Sequence, residues 1–274
     1  MPTTYTIFWC FFAFLFGAVL GSFVNVLIYR LPRDESIVWP GSRCPACAHP
    51  IRSRDNIPIL GYLLLGGKCR DCGSSISPRY PVMELITACL SAALFLRFGL
   101  TPGWAVFLVF TGMLLAACCI DLDLMIIPDA ISLNGIPIGI VAALAGFIPG
   151  LDWTHSLLGT FLGGLVLYIP AVVYEKLRGI EGLGGGDIKL LAMIGAFLGP
   201  AGVVFVMGVS SLVGSVVGLA DVFLKRADST TPVPFGPFLS GAAVLYLFVG
   251  PELVEYFFGF SPYHLVKSVN LFLP

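Results

Sequence analysis

The chain has 274 residues, of which 57% are hydrophobic and only 11% are charged, with a mean hydropathy of +0.94. A water-soluble domain has about 25% charged residues, so this composition excludes that class and predicts a helical protein that spans the membrane several times. The net charge of −1, without a basic or acidic tail, gives no indication of nucleic acid as a partner.

The first apolar run, residues 6–29, is long enough to cross a hydrocarbon core of about 30 Å. No lysine or arginine precedes it, whereas Arg30 and Arg33 follow it. A cleaved signal peptide has the opposite polarity, with positive charge at its start. We therefore expect residues 1–32 to form a retained helix whose amino terminus lies outside.

Seven further apolar runs follow, at residues 81–98, 103–120, 130–148, 155–174, 187–199, 201–224 and 237–258. With the first run, they predict about eight transmembrane helices. Together they predict an all-α polytopic membrane bundle. With the amino terminus outside, the loops in the cytoplasm are 31–80, 121–129, 175–186 and 225–236. The positive-inside rule supports this orientation, because most basic residues fall in these loops, among them Lys176, Arg178, Lys225 and Arg226.

Two aspartates lie at the ends of apolar runs and are the candidate catalytic residues. Asp121 ends the third run, and Asp187 begins the sixth directly after Gly184-Gly185-Gly186. The predicted topology brings both to the cytoplasmic face. Two carboxylates in a poorly hydrated site share a proton and divide into acid and base, which predicts an intramembrane aspartyl protease.

For several aspartates in these segments, a structural role is the alternative to a catalytic one. Asp187 alone is suited to be a helix N-cap, Asp123 to be a polar loop residue, and Asp129, after Pro128, to cap the fourth helix. The sequence contains neither a His-Glu-x-x-His zinc-protease motif nor a Gly-x-Ser-x-Gly elbow. Cys118 and Cys119, shortly before the first aspartate, are interpreted as packing residues, because no histidine is placed to activate them.

Taken together, these motifs resemble the type IV prepilin peptidases, which are GxGD-type aspartyl proteases similar in site pattern to presenilin and signal peptide peptidase. The resemblance rests on Asp121, on Pro128-Asp129 and on Gly184-x-Gly186-Asp187. Segments elsewhere in the chain extend it, namely Gly21–Val26, Tyr29–Pro32, Arg79–Pro81 with Glu84, and Pro234–Phe238. It implies a membrane-embedded peptidase domain over residues 81–274, a catalytic pair of Asp121 and Asp187, and supporting roles for Gly184, Gly186, Lys189, Pro128 and Asp129.

Four cysteines in the polar loop form a CxxC–x21–CxxC pattern, at Cys44, Cys47, Cys69 and Cys72. This spacing is typical of a four-thiolate zinc site. Disulfides are the alternative, but thiols stay reduced in the cytoplasm. We therefore expect a structural Zn²⁺ to fold a small cytoplasmic domain over residues 33–80.

The resemblance also implies a substrate, a second activity and a location. Family members remove a short basic leader from prepilins or pseudopilins at the bacterial inner membrane, in connection with pilus or type II secretion machinery. Many also N-methylate the new amino terminus with S-adenosylmethionine. Glu84 is a candidate to bind that cofactor or the amine, or else an acid at a helix start. A peptidase without methyl transfer and a non-enzymatic zinc-anchored scaffold are the alternatives.

Helix ends predict which aspartate is charged. Asp187 begins a helix, whose partial positive charge favours an anion, whereas Asp121 ends one, where the partial charge is negative. On this argument Asp187 is the base and Asp121 the acid. Two smaller signals are Asn25, expected to join helices, and an ion pair between Asp221 and Lys225.

Overall fold

The computed structural model describes residues 4–179, 184–224 and 233–258, and it confirms the predicted all-helical fold. The α-helices in chain order are α1 (Thr4–Arg30), α2 (Leu60–Leu64), α3 (Arg79–Phe98), α4 (Pro102–Leu124), α5 (Asp129–Leu144), α6 (Trp153–Arg178), α7 (Gly185–Phe223) and α8 (Gly236–Phe258). The chain divides into two compact units, with the boundary at Gly112 within α4. They are called the N-terminal and C-terminal units below.

In the N-terminal unit, α1 packs along α3 through small residues. A Cβ added to Gly17 would lie 2.4 Å from the Cβ of Ser91, so the two helices approach more closely than a side chain would allow. The hydroxyl of Ser91 donates a hydrogen bond to the carbonyl of Ala13 over 2.7 Å. Close packing of small residues with interhelical hydrogen bonds is typical of helices in membranes.

In the C-terminal unit, α7 is the central helix, in contact with α5, α6 and α8. The contact with α6 is made by glycines, because a Cβ on Gly159 would lie 2.3 Å from the carbonyl oxygen of Gly195. Ser156 adds a hydrogen bond of 2.7 Å to the carbonyl of Ala196. Contacts with α6 therefore fix α7 at Gly195 and Ala196, about two turns after Asp187.

The predicted spans 187–199 and 201–224 are two arms of α7. Its 39 residues would extend about 58 Å as a straight helix, nearly twice the hydrocarbon thickness of about 30 Å. The backbone is not helical at Gly199, where φ is 70°, and Pro200 follows. Glycine adopts this conformation without steric cost, and proline has no N–H to continue the ladder.

Among the described residues, six helices are long and apolar enough to cross a membrane, namely α1, α3, α4, α6, α7 and α8. The predicted span 130–148 corresponds to α5, which at 16 residues is shorter than the about 20 needed. Many large apolar side chains on the long helices are exposed, such as Phe161 at 66% and Leu212 at 67%. In a bilayer such side chains face lipid. The chain is thus a polytopic membrane protein.

The predicted Asp221–Lys225 ion pair and the basic residue Arg226 depend on positions 225–232, which lie outside the described residues. Asn25 does join two helices as expected, because its side-chain amide donates to the carbonyl of Tyr80 over 3.1 Å.

Candidate active site and metal site

Asp121 lies in the last turn of α4 and is only 5% exposed. Its Oδ2 accepts a hydrogen bond of 2.9 Å from the backbone N–H of Gly236, the first residue of α8. Backbone donors at a helix start are otherwise unpaired. The start of α8 therefore holds the Asp121 carboxylate in place.

Gly236 has no room for a side chain. A Cβ there would lie 2.7 Å from Oδ2 of Asp121 and 3.2 Å from Cδ1 of Ile127. Contacts under 3.0 Å are not tolerated by real Cβ atoms, so any substitution would displace the carboxylate. Glycine at position 236 is thus required by the close approach of α8 to Asp121.

Asp187 lies in the first turn of α7, whose N-cap is Gly184. The interpretation of Asp187 as an N-cap is therefore wrong. Its Oδ1 is buried and receives no hydrogen bond from the described part of the chain. Ile127 contacts the position of Gly186, beside Asp187, and the position of Gly236, whose N–H binds Asp121. The fold thus brings together the two carboxylates that the sequence analysis paired.

The three glycines before Asp187 have different surroundings. A Cβ on Gly186 would lie 3.0 Å from the Cβ of Ile127, on the α4–α5 loop. A Cβ on Gly184 would meet Oδ2 of Asp187 at 3.5 Å, an ordinary contact, and one on Gly185 would meet nothing within 4 Å. Among the three, only Gly186 allows a tight backbone approach.

Lys189 pairs with Asp129. Its Nζ lies 2.6 Å from Oδ1 of Asp129, which joins the first turn of α5 to the first turn of α7. The N-cap of α5 is Pro128, so the expectation that Asp129 caps this helix is wrong. Asp123 is exposed, unlike Asp121 two residues before it.

The four predicted cysteine ligands are brought together in the N-terminal unit. Their sulfur atoms all lie within 4.8 Å of one another and could hold a metal ion. The sulfurs of Cys44 and Cys72 are 3.9 Å apart. A tetrahedral thiolate site with metal–sulfur bonds of about 2.3 Å has sulfur–sulfur distances of about 3.8 Å. The geometry fits such a site.

The two CxxC segments have the same backbone structure. In each, the N–H four residues after the first cysteine donates to that cysteine's carbonyl, from Ala48 to Cys44 over 2.8 Å and from Gly73 to Cys69 over 2.9 Å. Both donor residues have positive φ, 59° and 72°. Hydrogen bonds from the backbone of Cys47 and Ala46 lower the pKa of the Cys44 thiol to about 6, whereas burial and the neighbouring thiols raise the pKa of Cys47 to about 12. A lowered thiol pKa favours the thiolate that binds metal.

Comparison with known protein families shows which family the chain belongs to. The family described as Bacterial Peptidase A24 N-terminal domain matches residues 15–98, and the Type IV leader peptidase family matches residues 108–219. The chain belongs to the type IV leader peptidase family. The first match contains all four cysteines and the second contains both aspartates.

Several bacterial relatives are similar over nearly their whole length, and each is named prepilin leader peptidase/N-methyltransferase. The relative in Aeromonas salmonicida is 37% identical, over 91% of this chain and 94% of the relative. That in Pseudomonas aeruginosa is 36% identical, over 90% and 92%. That in Bacillus subtilis is 36% identical, over 89% and 96%. No solved structure is significantly similar to this chain.

Glu84 lies in the second turn of α3, which has no acid in its first turn. The interpretation of Glu84 as an acid at a helix start is therefore wrong. Its Oε2 instead accepts a hydrogen bond of 2.7 Å from the backbone N–H of Ile59. Glu84 thus connects α3 to the loop that carries the cysteines.

Sequence reasoning missed Ile127 and the N–H of Gly236 as parts of this leader peptidase site. Ile127 is 8% exposed and contacts the positions of both Gly186 and Gly236. An isoleucine between apolar residues carries no distinctive signal, and every residue except proline has a backbone N–H. The glycine in Pro-Phe-Gly-Pro was the only available indication.

Proposed function

We propose that this protein removes the leader peptide from prepilins or pseudopilins and then N-methylates the new amino terminus. Membership of the leader peptidase family and the names of the relatives support both activities. The observation that carries the peptidase proposal is that the end of α4, with Asp121, and the start of α7, with Asp187, both lie at Ile127. Residues 81–274 are assigned to the peptidase and residues 33–80 to a metal-binding domain associated with methylation.

In the proposed peptidase reaction, the ionised aspartate takes a proton from a water molecule, whose oxygen adds to the scissile carbonyl. The protonated aspartate donates a hydrogen bond to the carbonyl oxygen and stabilises the charge that develops there. Collapse of the tetrahedral intermediate breaks the C–N bond, and the leaving amine takes the proton that the base aspartate had accepted from water. Gly186, Gly184, Pro128 and the Lys189–Asp129 pair support the site by fixing the first turns of α5 and α7.

The hydrogen bonds favour Asp121 as the base and Asp187 as the acid, the reverse of the assignment from helix ends. A hydrogen bond to a charged group contributes about 1.5–3 kcal/mol, and Asp121 receives one from Gly236. A helix terminus contributes only about 0.3–1 kcal/mol. The buried Oδ1 of Asp187 has no donor, so a proton on this carboxyl is free to bind a substrate carbonyl.

We assign Zn²⁺ to the four cysteines. Four thiolates in a tetrahedral arrangement are the usual zinc ligands, and a site with four protein ligands has no open position for catalysis. The metal would therefore be structural and would fold the loop that lacks a large apolar core. When bound, S-adenosylmethionine would supply the methyl group. The methyl carbon bonds to the amine nitrogen, and the sulfur of the donor keeps the electrons of the broken C–S bond.

The proposed location is the bacterial inner membrane, with the amino terminus of α1 outside and the cysteine loop in the cytoplasm. Arg30 and Arg33 after α1 support this orientation by the positive-inside rule. Lys176 and Arg178 at the end of α6 agree with it when the short helix α5 is counted as a crossing. A leader that is short and basic would lie on the same side as Asp121 and Asp187. Pilus or type II secretion machinery is the proposed setting.

The test uses purified protein in lipid with a purified prepilin. Asp121→Asn and Asp187→Asn should each lower the cleavage rate by about 10²- to 10⁴-fold or more. Asp123→Asn, the matched control on the same helix end, should cleave normally. Mass spectrometry of the product should find one added methyl group that depends on S-adenosylmethionine.

Each other outcome contradicts part of the proposal. Cleavage without methylation would leave only a peptidase. No processing by the unmodified protein would favour a zinc-anchored scaffold. Normal cleavage by either aspartate variant would exclude the assigned pair.

A further inference from the structure

A cavity of about 460 Å³ lies in the N-terminal unit, between the end of α1, the start of α3 and the cysteine loop. This volume is within the range of about 300–1,000 Å³ that is usual for small-molecule sites. Its lining belongs to residues 22–84 and includes neither Asp121 nor Asp187. The proposed peptidase chemistry therefore leaves this cavity unexplained.

Most charged side chains around the cavity already have strong partners. Arg70 binds both carboxylate oxygens of Asp55, at 2.8 and 2.7 Å. Arg52 pairs with Asp71 at 3.5 Å. Arg30 is 8% exposed, and its guanidinium donates to three backbone carbonyls, those of Ser36, Pro40 and Gly41. These three arginines hold the loop together, and Arg43 is the remaining arginine of the lining.

Glu84 is different, because its hydrogen bonds come from neutral groups. Its carboxylate accepts from the backbone N–H of Ile59 and is hydrogen-bonded by the side chain of Ser22. Within the described ranges, no cationic side chain is bound to it. A carboxylate in a partly buried position without a countercharge is suited to bind a cationic ligand.

The wall of the cavity beside Glu84 is held in a definite shape. Ile59 has φ 62°, a conformation that a β-branched residue rarely adopts. Such strain persists only where the surrounding structure maintains it, and here the hydrogen bond to Glu84 fixes the Ile59 amide. The site is therefore largely formed before a ligand binds.

The remaining lining offers flat and apolar surfaces. Tyr62 and Tyr80 contribute aromatic rings, and Val26 and Ile57 contribute aliphatic side chains. Tyr29 also lines the cavity, but the guanidinium of Arg33 covers one face of its ring at 4.2 Å. Aromatic rings stack favourably on a purine base. The cavity thus combines the partly buried carboxylate of Glu84 with surfaces that suit a nucleoside.

We propose that this cavity binds the S-adenosylmethionine used for N-methylation, with Glu84 bound to a positively charged group of the methyl donor. The inference rests on the proposed function and adds to it a binding site and a residue that determines affinity. The donor has an adenine base, a sulfonium and an ammonium group, which match the aromatic surfaces and the carboxylate. The four cysteines border the cavity through Cys44 and Cys69, which explains why methylation would depend on the folded loop.

The first experiment measures S-adenosylmethionine binding by titration calorimetry on the full chain in lipid, without a prepilin. Glu84→Gln keeps an acceptor for Ile59 but removes the charge, and it should weaken binding about tenfold or more. Asp34→Asn is the matched control, because it removes an exposed acid that does not line the cavity. Its affinity should equal that of the unmodified protein, and zinc content should be unchanged in both variants.

The second experiment cross-links methyl-labelled S-adenosylmethionine to the unmodified protein with ultraviolet light. The label should be found in peptides from residues 22–84. Label confined to residues 113–258, or equal affinity in Glu84→Gln, would overturn the proposal. An unmodified protein that cleaves prepilin but does not bind the donor would also overturn it, whereas one that binds the donor but cleaves nothing would contradict only the peptidase proposal.

Discussion

The carboxylate of Asp121 accepts a hydrogen bond from the backbone N–H of Gly236 over 2.9 Å, across 115 residues of sequence. This bond joins the end of α4 to the start of α8. Because the donor is a backbone group, no side-chain replacement removes it directly. The position of Asp121 depends instead on how closely α8 approaches, which is set by the size of residue 236.

We therefore expect Gly236→Ala to impair prepilin cleavage. The added Cβ would lie 2.7 Å from Oδ2 of Asp121, and displacement of a catalytic group by 1 Å costs about 10²-fold in rate. The measurement is kcat with a purified prepilin. Gly241→Ala on the same helix is the control, since its Cβ would meet nothing within 4 Å. Equal rates in both variants would show that Gly236 does not position Asp121.

The glycines before Asp187 allow a similar comparison. In Gly186→Ala the new Cβ would lie 3.0 Å from the Cβ of Ile127. A shift of a few tenths of an ångström relieves this contact, so kcat should fall by less than the about 10²-fold expected for 1 Å. Gly185→Ala, which meets open space, should cleave normally. A greater loss in Gly185→Ala would instead indicate that substrate docks against this residue.

The ion pair between Lys189 and Asp129 should contribute modestly to stability. Its side chains are 39% and 57% exposed, and exposed pairs contribute about 0.2–1 kcal/mol. A double-mutant cycle with Lys189→Met and Asp129→Asn, followed by chemical unfolding, measures the coupling free energy. The coupling should decrease with added salt. A coupling near zero at low salt would show that the pair does not join α5 to α7.

Removal of the metal should unfold the cysteine loop without breaking the helical bundle. Metal analysis should find about one Zn²⁺ per chain, and Cys69→Ser should lower this content because a ligand is lost. Limited trypsin digestion should then cut after Arg43 and Lys68, which lie beside the cysteines. Cys89→Ser is the control, as Cys89 is outside the cluster. Unchanged zinc content in Cys69→Ser would exclude the assigned site.

The start of α6 should lose its cap at low pH. The N–H of His155 donates to Asp152 over 2.8 Å, and this hydrogen bond, with those from the side chains of His155 and Thr154, lowers the pKa of Asp152 from 3.8 to about 2. A lowered folded-state pKa means that the stabilisation is complete above pH 3.8 and is lost as the pH falls through 2. Hydrogen exchange at the His155 amide should accelerate over this range. Asp152→Asn retains a capping oxygen that does not titrate, so its exchange should lack this transition.

The candidate site residues could be selected from the sequence because they stand out against an apolar background. Asp121 and Asp187 are costly at membrane depth, and four cysteines in two CxxC pairs have few other uses. The partner of Lys189 was not predictable, since it depends on how α5 and α7 pack 60 residues apart. The proposed reversal of acid and base roles likewise rests on a backbone donor, the N–H of Gly236, which no residue type identifies.

The break in α7 lies where the sequence predicts it. Gly199 and Pro200 predicted a boundary between two spans, and the backbone does leave the helical conformation at Gly199. The two arms are helices that meet at a kink, and α6 packs its glycines against this region. Local sequence was sufficient here, because glycine adopts a positive φ without steric cost and proline has no N–H for the next backbone hydrogen bond.

The most direct test of the account is a comparison of single-turnover cleavage by Asp121→Asn, Asp187→Asn and the double variant. Residues that act as a unit are not additive, so the removal of either one should cost about as much as the removal of both. We predict that all three variants reach the same low rate. Single variants that each retain partial activity, with losses that multiply in the double variant, would show that the two aspartates do not work as a pair.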